Sequence, residues 1–304
     1  MLYVVTPVNN YLRYRRRYEL FEKYVAHMES LPGIVLYVVE VALGERPFAV
    51  TDPKNPRHLQ LRTNTVLWHK ENMINQCVEH LPRNWKYVAW VDGDVEFLRR
   101  NIAYETIHAL QTYDVVQMFY SVANLGPKGE ILNTHKSFCA QYTEHGFTLP
   151  PNFKKYAVWH PGFAWACTRK AYNDMGRLLS RAILGAADHH MACALVGAAE
   201  QSIPGNISPA YRKMIMQWAD RAEKTINRNI GYVDGTILHG FHGKFADRRY
   251  TERWKILIDT DYDPETDIKE DWQGLYTFDK SKPRLRDLIR NYFIERNEDT
   301  NEAT

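Results

Sequence analysis

Two rhythms of apolar residues alternate along this chain, and the alternation sets out its elements. Leu2–Val8 (LYVVTPV) is a near-continuous apolar run, the pattern of a strand covered on both faces. From about Tyr11 to Glu29 the spacing changes. Tyr14, Tyr18, Phe21, Tyr24, Val25 and Met28 recur at helical intervals, which predicts an amphipathic helix. Pro32-Gly33 breaks it, and Ile34–Ala42 returns to the buried-strand pattern. Phe48–Thr51 and His58–Leu61 read as short hairpin-like strands around Asp52-Pro53. A helix is expected over Thr65–Leu81, through Leu67, Ile74, Val78 and Leu81, with Pro82 as its stop. Then comes Tyr87–Phe97, YVAWVDGDVEF, an aromatic and β-branched run that halts abruptly at Asp92-Gly93-Asp94. This succession of strands and helices argues for a doubly wound, mostly parallel sheet, whose ligands bind at the carboxyl ends of the strands.

Further on, Tyr104–Gln111 has helical character and Asp114–Tyr120 that of a strand. Residues 121–156 are mixed, with Gly126-Pro127, Pro150-Pro151 and many polar positions, and read as a long excursion or lid. A short strand over Ala157–His160 leads into Pro161-Gly162-Phe163-Ala164-Trp165-Ala166. Residues 168–183 are helical, and Asp188 stands where an N-cap would open a helix through Val196. Ser208-Pro209 starts another, with Tyr211, Ile215, Trp218, Ala222 and Ile226 on one face. Tyr232–Leu238 is a strand running into His239-Gly240-Phe241-His242-Gly243-Lys244. Pro283 opens a last helix, and the polar stretch 297–304 reads as a disordered tail.

Composition narrows the class without deciding it. With 45% hydrophobic and 25% charged residues in 304, the chain has the make-up of a soluble globular protein. Its net charge of +3 allows an anionic partner but is well short of a strongly basic nucleic-acid-binding domain. Cys77, Cys139, Cys167 and Cys193 form no CxxC pair, which argues against a zinc knuckle and for reduced thiols in an intracellular protein. MLYVVTPV lacks the features of a signal peptide, and the longest apolar stretch, Ile34–Leu43, is interrupted by Glu40 and too short to cross a bilayer. A soluble cytoplasmic protein without a membrane partner is expected.

The candidate chemistry starts at Asp92 and Asp94. Carboxylates at the end of a buried strand are costly to leave unpaired. Two apart on extended backbone they point the same way, with Gly93 open to close approach, which suits a divalent metal gripping phosphate. An EF-hand loop is excluded, because Glu96 and Phe97 occupy positions that need Asp or Asn and then Gly. A haloacid-dehalogenase-type phosphatase would carry its Asp-x-Asp near the start of the fold, whereas about ninety residues precede this one. Merely solvated carboxylates are the bland alternative. The second cluster is His239-x-x-His242-Gly243-Lys244. Neutral imidazole can complete a metal site begun by carboxylates, and a nearby cation can neutralise phosphate, although either histidine alone suits a structural role equally. Arg13 and Arg17 lie one turn apart in the first predicted helix and either face a diphosphate or polyanion or pair with Glu19 and Glu22. Lys70 and Glu71 fall near the expected crevice. Asp188 offers a carboxylate that either takes a proton from an attacking hydroxyl or simply caps a helix.

Together, Asp-x-Asp, the Pro-Gly-Phe-Ala-Trp segment, the later Gly-x-x-Asp and His-x-x-His-Gly-Lys resemble the GT-A-fold glycosyltransferases. More narrowly, YVAWVDGDVEF, HLQLRTNTVLWHKENMIN, HPGFAWACTRKAY and LHGFHGKFADRRY resemble a glycosyltransferase-like group common in bacteriophage genomes, over roughly residues 2–260. The resemblance implies an α/β GT-A (Rossmann-like) fold, with a mixed, mostly parallel sheet flanked by helices and C-terminal helical additions. Its catalytic domain would span 1–260, with a nucleotide-sugar half of about 1–120 and an acceptor half of about 121–260; an extension over 261–296 would pack on it. It further implies a nucleotide-sugar donor, usually a UDP-sugar, with Mn2+ or Mg2+ between Asp94 and the diphosphate. Asp92 would contact the ribose or the metal, and His239 or His242 would complete the site. Pro7, Val8, Asn9, Arg13, Arg17, Glu40, Lys70 and Lys244 would contact the donor. Asp188 matches the acidic residue that serves as base, or contacts the acceptor, in inverting members, though Ala187 stands where many carry Glu or Gly before that Asp. The phage likeness makes a hydroxymethylated pyrimidine in DNA the first acceptor, in the host cytoplasm, with Trp159, Phe163 and Trp165 available to stack on a base and His189 beside them. A glycan or protein acceptor, a DxD phosphatase or phosphotransferase, and a non-enzymatic DNA-binding module are the alternatives.

Overall fold

A computed structural model describes residues 1–149, 159–279 and 282–302. In chain order it opens with β1 (Leu2–Val8), α1 (Arg15–Ser30), β2 (Ile34–Leu43), β3 (His58–Thr63), α2 (Lys70–Val78), β4 (Tyr87–Val91) and β5 (Val95–Phe97). There follow α3 (Ile102–Ala109), β6 (Val115–Gln117), β7 (Ser121–Leu125), β8 (Ile131–Ser137), α4 (Phe138–Glu144), β9 (Trp159–His160) and β10 (Ala164–Thr168). The remainder is α5 (Arg169–Asp174), α6 (Ala187–Leu195), α7 (Ala199–Ser202), α8 (Pro209–Thr225), β11 (Ile230–Tyr232), β12 (Thr236–His239), α9 (Trp254–Asp259), β13 (Ile268–Glu270), β14 (Tyr276–Phe278) and α10 (Pro283–Glu295).

Seven strands form one sheet in the order β11-β6-β10-β4-β1-β2-β3, in which β10 alone runs against its neighbours. The fold is mixed α/β with a mostly parallel sheet flanked by helices. Alternation along each strand divides the core between the two faces. Val5, Val39, Val88 and Trp90 pack with α2, α5, α6, α8 and α10 on one side, while Val4, Val38, Ala89 and Val91 pack with α1 and α3 on the other. A second sheet, β5-β12-β7-β8-β9, lies beyond the carboxyl end of β4 and brings distant stretches together there.

Several boundaries depart from the periodicity, each for a local reason. The first helix starts at Arg15 rather than Tyr11, because Asn10 bonds both the N–H and the carbonyl of Tyr14 and Arg13 adopts a φ of 58°. The helix expected from Thr65 begins only at Lys70. Trp68 N–H is taken by the carbonyl of Ile183 at 2.8 Å, which keeps the lead-in out of the helix. The expected hairpin at 48–61 is not one: β3 pairs parallel to β2, and Phe48–Thr51 is not a strand. The helix expected over 168–183 stops at Asp174, with Gly176 and Arg177 both at positive φ. The strand expected over Tyr232–Leu238 is two, β11 in the large sheet and β12 in the small one, parted at Gly235 with φ 123°. Within the expected excursion, β7, β8 and α4 are regular elements; residues 150–158, including the first half of the Ala157–His160 strand, lie outside the described residues. Ser208 caps α8 as its sequence predicts.

The C-terminal segment packs closely on the amino-terminal part. His69 Nε2 donates to the carbonyl of Tyr276 at 2.8 Å, and Asn72 bonds the β13–β14 turn at Gly274. In residues 297–302, which composition marks as a disordered tail, Glu298 is buried and Asp299 bonds the start of α1, while the rest are largely exposed; 303–304 are outside the described residues. Among the described residues no helix is long and apolar enough to cross a membrane.

Candidate active site

Asp94 meets the histidine segment because β12 pairs antiparallel with β5. His239 lies opposite Val95, and Gly240 N–H donates to the Asp94 carbonyl at 2.8 Å. His242 Nε2 then sits 3.1 Å from Asp94 Oδ2, and His239 Nε2 lies 3.8 Å from Asp94 Oδ1. One ligand atom from each of the three falls within 4.8 Å of the others.

The protons around this cluster can be placed. Asn124 donates through its amide nitrogen to Asn133 Oδ1 at 2.7 Å, which turns its own oxygen to accept from His239 Nδ1 at 2.8 Å. The proton is therefore on Nδ1, and Nε2 offers a lone pair toward the carboxylate. Burial works in the same direction, holding His239 well below its ordinary pKa and so neutral. Arg248 Nη2 donates to His242 Nε2 at 3.1 Å; a guanidinium only donates, so this ring also carries its lone pair on Nε2. Asp94 Oδ1 is buried without a hydrogen-bond partner. Burial opposes the Asp94 charge, but the donors around it, Arg17 among them, outweigh it and hold the carboxyl well below its ordinary pKa. A buried carboxylate oxygen without a partner, facing the lone pair of His239, is an arrangement that a cation satisfies. One carboxylate and two imidazoles make a mixed oxygen–nitrogen donor set for a divalent transition-metal ion, of which Mn2+ is among the harder.

Asp92 is outside this group. It forms an ion pair with Lys70, from the first turn of α2, and still lines the cavity where it was expected to meet ribose or metal. Burial pushes Lys70 down, but Asp92, Glu71 and Asp188 together outweigh it and keep the ammonium charged. Glu71 itself is buried, with Oε2 unpartnered, and burial lifts its pKa to about 7, Lys70 opposing and Asp188 reinforcing.

Asp188 lies in the first turn of α6. The cap position belongs to Ala186, at φ 72°, and Asp188 Oδ1 accepts from the N–H of His189 at 2.8 Å. A Cβ on Gly162 would come 2.8 Å from Asp188 Oδ2, so Gly162 makes room for that carboxylate. Gly93, by contrast, makes room for the Phe21 ring, Gly240 for Leu20 and Gly243 for the backbone of 296–298, none of them for a ligand. Phe163, at φ 73°, accepts the Asp92 N–H through its carbonyl at 2.8 Å and stacks on His160 with ring centres 4.0 Å apart.

These groups surround one cavity of about 300 Å³, lined by Pro7, Asn9, Arg17, Lys70, Asp92, Asp94, Asp188, Phe163, His239 and His242 among others. Sequence reasoning missed the part of its wall made by Trp68, His160, Arg248, Arg253 and Arg296.

Other expected contacts are elsewhere. Val8 is core, packed among the residues under α1. Arg13 is exposed and donates to the carbonyl of Pro47. Glu40 is a buried staple, its carboxylate accepting the N–H groups of Ala49, Val50 and Thr51. Lys244 pairs with Glu302, 2.5 Å away. Trp159 and Trp165 are buried in the core, the latter donating to the Pro161 carbonyl, and His189 is buried with its ring stacked on Trp159. Large aromatic residues bury readily, and nothing in the local sequence separates these from Phe163.

No protein-family model and no curated protein sequence matches the chain. Among solved structures, the catalytic domain of Drosophila β1,4-galactosyltransferase 7 in complex with xylobiose is similar at 15% identity and a TM-score of 0.36, over 65% of this chain and 61% of that one. A mutant of the same enzyme in complex with manganese, UDP-Gal and xylobiose aligns at 12% identity over 95% of this chain and 98% of that one, with a TM-score of 0.42. A mannosyltransferase from Pyrobaculum calidifontis in complex with GDP-Man and Mn2+ aligns at 10% identity over 97% of this chain and 69% of that one, with a TM-score of 0.37. Likeness at this level is coarse, and the case for the chemistry of this chain rests on its own residues.

Proposed function

We propose that this chain is a metal-dependent glycosyltransferase of the GT-A type, which moves a sugar from a nucleotide-sugar donor, first a UDP-sugar, to an acceptor hydroxyl. One observation carries the reading. A buried carboxylate and two imidazoles converge beyond the carboxyl end of β4, beside a cavity walled by arginines.

Asp94, His239 and His242 would hold Mn2+ or Mg2+, and the ion when bound supplies Lewis acidity toward the departing diphosphate. Arg17 and Arg248 add positive charge on the same side of the cavity. Lys70 holds Asp92 as an ion pair and faces the diphosphate with its remaining donors. Asp188 takes the proton of the acceptor hydroxyl while that oxygen bonds to the anomeric carbon and the sugar–diphosphate bond breaks, so the leaving group departs as a nucleoside diphosphate. This assignment of Asp188 belongs to an inverting reaction.

A hydroxymethylated pyrimidine in DNA stays our first acceptor, now on narrower support. Arg13 and Arg15 are exposed, the first bonded to the Pro47 carbonyl and the second paired with Glu19, while Trp159 and Trp165 are in the core and of the three aromatics only Phe163 lines the cavity. Transfer to free sugars or glycans, with none to hydroxymethylated DNA, overturns the DNA acceptor and leaves the donor chemistry standing.

A thermal-shift panel of UDP- and GDP-sugars with Mn2+ tests the whole. At least one donor should raise the melting temperature in a metal-dependent way, and EDTA or Asp94→Ala should abolish the rise. Absence of metal-dependent stabilisation by every donor would overturn the proposal.

A further inference from the structure

The polar tail enters the site that it follows in sequence. After α10, Arg296 is buried against the Trp68 ring, and its Nε donates to Glu298 Oε1 at 2.6 Å. Asp299 then accepts the N–H groups of Arg15 and Arg16 at 3.0 and 2.9 Å, closing the open start of α1. Gly243, at φ +87°, is where the tail crosses the histidine segment; a Cβ there would lie 3.0 Å from the Arg296 carbonyl oxygen and 3.1 Å from the Glu298 Cα. These contacts set Glu298, 6% exposed, behind the metal-ligand group.

Its carboxylate touches that group from two sides. Glu298 Oε2 lies 3.5 Å from Arg17 Nε, and Nη1 of the same guanidinium lies 3.6 Å from Asp94 Oδ2, so Arg17 spans both acids. Glu298 Oε1 lies 3.6 Å from His242 Nδ1, the nitrogen that carries the proton. That nitrogen is buried with no hydrogen bond of its own, and the carboxylate stands on its side of the ring, opposite the face offered to Asp94.

We infer that Glu298 is a positioning residue of the metal centre: its carboxylate, 3.6 Å from His242 Nδ1, favours the proton on that nitrogen and so leaves Nε2 toward the metal, and it clamps Arg17 against Asp94. The inference rests on the metal-site reading above. A carboxylate behind a ligating imidazole fixes its tautomer and orientation and raises its basicity. Here that carboxylate comes from the last residues of the chain, so the tail belongs to the site.

The experiment uses the full chain without any nucleotide sugar. Mn2+ affinity is measured by calorimetry for the unaltered protein, Glu298→Ala, Glu298→Gln and Asp94→Ala, and Cu2+ is loaded in parallel to count ligating nitrogens by electron paramagnetic resonance. Glu298→Ala should weaken Mn2+ about 10–100-fold and reduce the nitrogen signature from two rings to one. Glu298→Gln keeps an acceptor oxygen without the charge and should lose less, which separates positioning from general destabilisation. It also serves should the alanine variant fail to fold. Mn2+ bound equally or more tightly by Glu298→Ala, with two nitrogens retained, overturns the inference while the metal site stands. No Mn2+ binding by the unaltered protein overturns the metal site itself and this inference with it.

Discussion

Asn124 sets the protonation of His239, and no motif announces it. It sits in β7, 115 residues before its partner, and faces it only because β7 and β12 pair in parallel with Asn124 opposite His239. The two acids and two histidines could be singled out from the sequence, because a carboxylate stopping an apolar run and a histidine pair beside glycines are local signals. Asn124, Arg296 and Glu298 carry none, since what makes each of them matter is a neighbour far along the chain. The same limit explains Asp92, which reads as the twin of Asp94 until Lys70 is placed beside it. Replacing Asn124 by alanine should leave the fold intact and free His239 to take the wrong tautomer. Mn2+ affinity, read by calorimetry, should fall about 10–100-fold; unchanged affinity would mean that the amide does not govern the ring.

Among elements, the turn between β4 and β5 is held from below by α1. The Phe21 ring presses on Gly93 so closely that a Cβ there would lie 2.8 Å from Phe21 Cδ2. Periodicity could show that Phe21 is buried, because its spacing with Tyr24 and Met28 is helical, but not which strand end it meets. The helix start was misread for a related reason: Asn10 bonds the Tyr14 backbone, and tertiary contacts from Asp299 replace the cap that α1 lacks in its own sequence. Gly93→Ala should therefore act on packing before chemistry. Phe21 has to shift, at a cost of about 1–3 kcal/mol for overpacking a filled core, visible as a lower urea midpoint. Pairing the substitution with Phe21→Leu should recover part of that loss, and no recovery would show that the ring is not what the added methyl strikes.

At the scale of the whole molecule, the mostly parallel sheet with two covered faces was legible because the near-continuous apolar runs of β1, β2 and β4 are those of strands buried on both sides; the strand order was not. The attachment of the C-terminal segment was not, because it runs through polar contacts. His69 is its centre. Its Nε2 donates to the Tyr276 carbonyl at 2.8 Å, so Nδ1 is the acceptor of the Tyr11 hydroxyl, and the neutral ring ties the loop before α1, the start of α2 and β14 together. Burial lowers its pKa from 6.5 to about 4, the Tyr276 bond opposing. A folded-state pKa below the unfolded one means that the unfolded chain binds more protons between the two values. The stability that the neutral ring contributes is therefore complete above pH 6.5 and is lost as the pH falls toward about 4. At pH 5, inside that window, the loss from this one group should be about 2 kcal/mol. Buried His190, also held well below its ordinary value, adds to the loss in the same direction. Urea unfolding of the unaltered protein and of His69→Gln at pH 7.5 and 5 isolates the contribution of His69, because glutamine does not titrate. The fall in stability between the two pH values should be smaller in the variant by about 2 kcal/mol. Equal falls would show that His69 takes up its proton without opening the contacts that join the C-terminal segment to the rest of the chain.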